Sequence, residues 1–202
     1  MPFPERLAIA SKNPHKLREI GRICSGWPVE WVTVENHDGP WPDVAEPHET
    51  YLENAAEKAR AVASALGIPA MADDSGLEVD GLGGGPGPRS ARFAGEDASD
   101  EENLAKLISV VELLPSGDRR ARYVCLSVIA TPDGEVVSAD GTCNGMLVTE
   151  RRGDRGFGYD PIFVPDETPD RTMAELADEE KDRISHRGRA FRALRELVAA
   201  DD

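Results

Sequence analysis

The chain has 202 residues, 40% of them apolar and 30% charged, which describes a soluble globular protein of one domain, or of one domain with two lobes. Its formal net charge of −15 argues against nucleic acid or an anionic membrane as the main partner. No run approaches the roughly eighteen apolar residues of a membrane span, and the opening Met1-Pro2-Phe3-Pro4-Glu5-Arg6 lacks the regions of a signal peptide.

Leu7-Ala8-Ile9-Ala10 predicts a short buried strand. It runs into Ser11, Lys12, Asn13, Pro14, His15 and Lys16, where Asn13 suits an N-cap and Pro14 the first helical position. The helix that follows carries Leu17, Ile20 and Cys24 on one face. A strand, a tight turn and a helix start flanked by two lysines suit an anion, with a capped helix and two solvated lysines as the plain alternative. Residues 28–34 predict a second strand, and residues 35–49 a polar, proline-rich loop. Thr50 and Glu53 make a capping-box pattern. It opens a helix with Leu52, Ala56, Ala59, Ala63 and Leu66 on one stripe, stopped at Gly67.

After the apolar residues 68–72 come Asp73-Asp74-Ser75-Gly76. Neighbours on a strand point to opposite faces, so both carboxylates cannot meet solvent if one face is buried. One must look into the fold or a cleft, where it needs a partner, a metal or hydrogen bonds. A solvated turn is the competing reading, because all four residues form turns readily. The glycine-rich stretch 81–88 lacks the Gly-Lys-Ser/Thr ending of a P-loop and reads as a flexible connection. Ser99 and Glu102 cap a helix bearing Leu104, Leu107, Ile108, Val111 and Leu114, ended by Pro115. Residues 122–131, 135–139 and 143–149 predict an antiparallel meander.

Phe157-Gly158-Tyr159-Asp160-Pro161 then sets aromatics between glycines, where they can stack on a flat ligand. Tyr159 folding back onto the sheet is the alternative. Thr172 and Glu175 start a short helix. Lys181, Arg183, His186, Arg187 and Arg189 crowd positive charge ahead of a last helix with Ala190, Leu194, Leu197 and Val198 apolar. Cations at a helix N-terminus oppose its dipole, and a nearby phosphate would relieve the conflict. Cys24, Cys125 and Cys143 are widely spaced and read as reduced thiols of a cytoplasmic protein, not as zinc ligands.

Taken in order, Ser11-x-Asn13-x-x-Lys16, Glu53-Asn54-Ala55, Asp73-Asp74-Ser75-Gly76-Leu77, Ser90-Ala91-Arg92-Phe93, Phe157-Gly158-Tyr159-Asp160-Pro161 and Ser185-His186-Arg187-Gly188 resemble the inosine triphosphate pyrophosphatase family. The resemblance spans nearly the whole chain. It implies an α/β fold, an elongated mixed sheet flanked by helices, with two lobes around a central nucleotide-binding cleft. Residues 1–202 would be a single catalytic domain, usually found as a homodimer. The implied activity is Mg²⁺-dependent cleavage of dITP, ITP and XTP between the α and β phosphates.

Carried over by position, Asp74 is the general base and a metal carboxylate, with Glu46 as the second. Glu49 competes with Glu46, because the segment reads Glu46-Pro47-His48-Glu49-Thr50-Tyr51 where the family carries a glycine. Ser11, Lys12, Asn13, Pro14, His15, Lys16, Ser75 and Lys181 are implied at the triphosphate. Phe157, Gly158, Tyr159 and Asp160, with His186 and Arg187, are implied at the base. Within that set, His186 and Arg187 suit donation to a purine O6, and Asp160 suits acceptance from N1–H.

Overall fold

Strands and helices alternate as far as β3 along residues 2–200, the part of the chain that this computed structural model describes. The strands β1 (Arg6–Ile9), β2 (Glu30–Val32) and the start of β3 (Ala70–Val79) pair in parallel, with β1 between the other two. Parallel neighbours need crossover connections, and the helices α1 (Pro14–Ile23) and α2 (Tyr51–Leu66) provide them. The far end of β3 pairs antiparallel with β4 (Pro86–Gly87). With β5 (Arg120–Ala130), β6 (Val136–Leu147) and β7 (Phe163–Pro165), the seven-stranded sheet runs β2-β1-β3-β5-β6-β7. Three helices complete the chain: α3 (Asp100–Glu112), α4 (Asp178–Ile184) and α5 (His186–Ala199). The expected mixed α/β sheet flanked by helices is what the chain forms.

Local signals account for most helix ends. Asn13 accepts from the amides of His15 and Lys16, Pro14 opens α1, and Gly67 closes α2 in the left-handed region at φ 67°. Ser99 and Glu102 form the anticipated reciprocal box on α3. Two readings need correction. The segments 135–139 and 143–149 are not separate strands, since β6 continues through Asp140-Gly141-Thr142, and the next strand is β7. Ladder pairing along β6 overrides the turn preference of Asp140 and Gly141. On α2, Ala56, Ala59 and Ala63 are buried as expected, but Leu52 is exposed, and the buried face widens to Tyr51, Ala55 and Val62, joined by Asn54 and Lys58.

The chain divides into two compact units. The first holds everything up to Asp74, then residues 125–141, and the helix from Arg187 onward. Its sheet is buried on both faces. Leu7, Ile9, Met71 and Ile129 pack with Leu17 and Ile20 of α1 and with Phe191, Leu194 and Val198 of α5. Ala8, Ala10, Ala70 and Ala72 pack with the alanines of α2, whose small side chains let helix and sheet approach closely. The second unit holds residues 75–124 and 142–186. Its core gathers Leu77, Leu104, Leu107, Val111, Tyr123, Leu147, Ile162, Phe163 and Met173.

Candidate active site

The period of two along β3 decides where the paired aspartates go. Met71 and Asp73 lie on the side that α1 and α5 cover, while Ala72 and Asp74 lie on the side of α2. Both carboxylates are buried, at 2% and 3% exposure, which rules out the solvated turn.

Asp73 is heavily compensated. Arg187 donates to its Oδ2 from Nε at 3.2 Å and from Nη2 at 3.0 Å. Lys16 Nζ stands 3.1 Å from the same oxygen, and Nη1 of the arginine reaches Glu19 on α1. Burial pushes the Asp73 carboxyl up, but Lys16, Arg187 and Lys58 outweigh it and hold it well below the usual carboxylate range. Burial pushes Lys16 down, but Asp73, Asp74 and Glu46 together outweigh it and leave the ammonium raised. The other oxygen of Asp73, Oδ1, is buried with no hydrogen-bond partner among the described residues. An acceptor in that state calls for a cation or an ordered water.

Asp74 is held differently. Asn54 Nδ2 donates to its Oδ2 at 3.0 Å, and Lys58 Nζ lies 3.9 Å from Oδ1. Burial raises the Asp74 carboxyl above its ordinary value; Lys58 and Lys16 pull it back without winning, and Glu46 adds to the rise. Lys58 also donates to Glu46 Oε1 at 2.9 Å and to the Asp73 carbonyl at 2.7 Å. Asn54 meanwhile pins the loop that carries Glu46, accepting from the His48 amide and donating to the His48 carbonyl. Glu46 is half-buried in this arrangement, whereas Glu49 is exposed.

No group of three or more His, Cys, Asp or Glu side chains assembles for a metal among the described residues. Mg²⁺ asks for less, since it takes one or two carboxylates and fills its shell with waters and phosphate oxygens. Asp74 and Glu46, hard oxygen donors gathered about one ammonium, fit that ion.

The turn before α1 is only partly drawn into this set. Lys16 faces Asp73, but Lys12 is exposed and paired with Asp43 at 3.0 Å, and His15 is half-buried beside Arg18. The amides of His15 and Lys16 are taken by Asn13. Ser75, half-buried, is the first residue of the second unit.

In the second unit, the Phe157 loop closes around a carboxylate. Asp160 Oδ2 accepts from the Phe157 amide at 2.9 Å and pairs with Lys181 Nζ at 2.5 Å, and Tyr123 donates to Oδ1 at 3.3 Å. Gly156, at φ 72°, has no room for a side chain: a Cβ there would lie 2.0 Å from Asp160 Oδ2. Phe157 is half-buried with the Lys181 ammonium 5.2 Å from its ring centre. His186 stacks on Tyr123, with centroids 4.6 Å apart and planes 9° from parallel.

Three side chains of the proposed substrate site are turned into the protein. Tyr159 is a core residue, its hydroxyl donating to the Ser90 carbonyl at 2.7 Å, because the tight loop turns it inward. Lys181 is buried against Asp160, and that carboxylate already has three donors. Arg187, 2% exposed, directs its guanidinium at Asp73 and Glu19. Motif reading missed Glu19, Lys58 and Tyr123, and it held Asn54 only as part of Glu53-Asn54-Ala55, with no role assigned. The spacing of Asn54 and Lys58, four apart among buried alanines, was the signal that could have found Lys58.

A mixed α/β sheet with paired buried carboxylates, one raised and one depressed, beside the ammonium groups of Lys16 and Lys58, suits an enzyme acting on a polyanion. The comparisons give that class a family. Residues 7–197 match the model of the Ham1 family. The chain belongs to that family. A dITP/XTP pyrophosphatase of Cutibacterium acnes is 47% identical over 199 residues, covering 96% of this chain and 97% of that protein. A dITP/XTP pyrophosphatase of Geobacter sulfurreducens is 44% identical over 191 residues, covering 95% of each chain. Among solved structures, the Staphylococcus aureus Ham1 protein superposes with a TM-score of 0.83 at 40% identity, covering 98% of this chain and 100% of that one.

Proposed function

We propose that residues 1–202 act as one nucleoside triphosphate pyrophosphatase domain. It hydrolyses dITP, ITP and XTP to the monophosphate and pyrophosphate, in the cytoplasm and as a homodimer. The observation that carries the reading is Asp74: a buried carboxylate with a raised pKa, oriented by Asn54, in a chain 47% identical to a dITP/XTP pyrophosphatase. No helix among the described residues is long and apolar enough to cross a membrane, and the described cysteines are free thiols, which suits a cytoplasmic enzyme.

Asp74 accepts a proton from water, and the oxygen attacks the α-phosphorus. The bond from that phosphorus to the α–β bridging oxygen breaks, and the electrons leave on pyrophosphate. Asn54 holds the carboxylate so that a lone pair remains for the proton. Glu46 and Asp74 would hold Mg²⁺, which supplies charge neutralisation on the phosphates. Lys16, with Lys12, Ser11, Asn13, Pro14 and His15 around it, and Ser75 supply the triphosphate end. Phe157 and Gly158 offer a stacking surface for the purine, with His186, Lys181 and Asp160 as its polar neighbours. Arg187 acts from behind, by holding Asp73.

Incubating the protein with Mg²⁺ and dITP, XTP, dGTP, dATP or dUTP, and measuring pyrophosphate, tests this directly. Release from dITP and XTP at rates well above the other three is expected; preferential release from dUTP, or none from any, sinks the reading. Lys16→Ala should raise KM for dITP by a factor that shrinks as salt rises, because a charge contact to phosphate is screened. An unchanged KM would return Lys16 to the role of a counter-ion for Asp73. Lys58→Met should shift the acid limb of kcat/KM to higher pH, since Lys58 is the foremost charge holding Asp74 down. An unmoved limb would show that this ammonium does not act on the base.

A further inference from the structure

We propose that Tyr123 is a positioning residue that sets the ring plane of His186 and thereby sharpens discrimination among purine bases. The proposal rests on the reading of the second unit as the part that takes the base. Tyr123 lies on β5 and lies outside every motif that the family resemblance brings in. It makes three contacts at once. Its ring is stacked on His186, with centroids 4.6 Å apart and planes 9° from parallel. Its hydroxyl donates to Asp160 Oδ1 at 3.3 Å, while Phe163 packs against it at 4.7 Å and 59°. Phe163 is fully buried in the core, so the tyrosine ring is braced by a residue that cannot yield easily.

The second torsion of a histidine has broad wells, and the backbone alone does not hold the ring in one plane. Hydrogen bonds from a ring N–H weaken steeply as they bend, so a rotated imidazole recognises an oxygen acceptor poorly. A parallel partner removes that freedom. The same side chain touches the carboxylate that gathers Lys181 and the Phe157 amide, and so ties His186 to the rest of the set. A tyrosine that only filled core volume would need neither the near-parallel stack on His186 nor a carboxylate at its tip.

Four variants test the idea: Tyr123→Phe, Tyr123→Leu, His186→Ala, and Tyr123→Leu with His186→Ala. For each, kcat and KM are measured on dITP and dGTP, with Tm as the measure of fold. Tyr123→Phe keeps the stack and should leave the dITP-to-dGTP preference within about twofold of the parent. Tyr123→Leu should raise KM for dITP about five- to tenfold with little change in kcat, and cut the preference by a similar factor. On the His186→Ala background the leucine should add less than about twofold, because the group it positions is gone. An undiminished leucine effect on that background, or equal losses on dITP and dGTP, overturns the proposal. The NMR signals of the His186 ring give a readout that needs no turnover: they should move in Tyr123→Leu and stay near the parent in Tyr123→Phe. Signals that stay put in the leucine variant reject the positioning role outright, whereas a parent enzyme that releases nothing from dITP rejects the proposed activity instead.

Discussion

Asp74→Asn should lower kcat by roughly a thousandfold, while the protein stays folded and still binds nucleotide. An amide cannot take the proton from water, and it is a poorer ligand for a divalent cation. Stability should not suffer at neutral pH, and the sign follows from the direction of the shift. Burial raises the Asp74 carboxyl in the fold, so its ionised form is disfavoured there relative to the unfolded chain. Its contribution to stability therefore falls as pH rises from the ordinary aspartate range through the raised native value. Asparagine removes that loss, and the variant should unfold at an equal or higher temperature than the parent at pH 7. The same shift places the acid limb of kcat/KM above the ordinary aspartate range. Raising the Mg²⁺ concentration should move that limb to lower pH, because a bound cation favours the ionised carboxylate. Near-parental turnover of the asparagine variant at saturating Mg²⁺ would remove Asp74 from the chemistry altogether.

Arg187→Ala should be the most destabilising single change in the buried network, by about 3 kcal/mol. The substitution leaves Glu19 and Asp73 buried with less compensation, and it deletes a nearly inaccessible side chain. Lys16 still faces Asp73, which keeps the loss at the lower end of the range for a broken buried pair. Urea unfolding checks this, read as a lower midpoint with an unchanged slope. There is a pH signature as well. Asp73 is depressed in the fold, so it stabilises above the unfolded aspartate value and loses that contribution as pH falls through the native one. Without Arg187 the native value rises toward the unfolded one, and acid unfolding should begin at higher pH. A loss below about 1 kcal/mol would show that the guanidinium is dispensable to the fold and restore its claim on the substrate.

Much of this was legible in the linear chain. The capped starts of α1 and α3 and the Gly67 stop rest on interactions within a few residues, and the strand at Leu7 showed as an apolar run. The ordered motifs carried the family, because a set spread over nearly the whole chain is specific where each member is weak. The alternation rule foresaw that Asp73 and Asp74 must part company.

What only tertiary structure decided is what each of them meets. That Asp73 finds an arginine 114 positions away, and Asp74 an asparagine 20 away, depends on which helix covers which face of the sheet. The same pairing turned the Arg187 guanidinium onto Asp73 and Glu19. It also brought Lys58 and Tyr123 to groups they are far from in sequence. Local patterns encode backbone geometry, whose energies are set within a turn or a strand. Charge pairing in a buried interior is settled by distance in space, where low polarity makes each counter-ion's placement decisive.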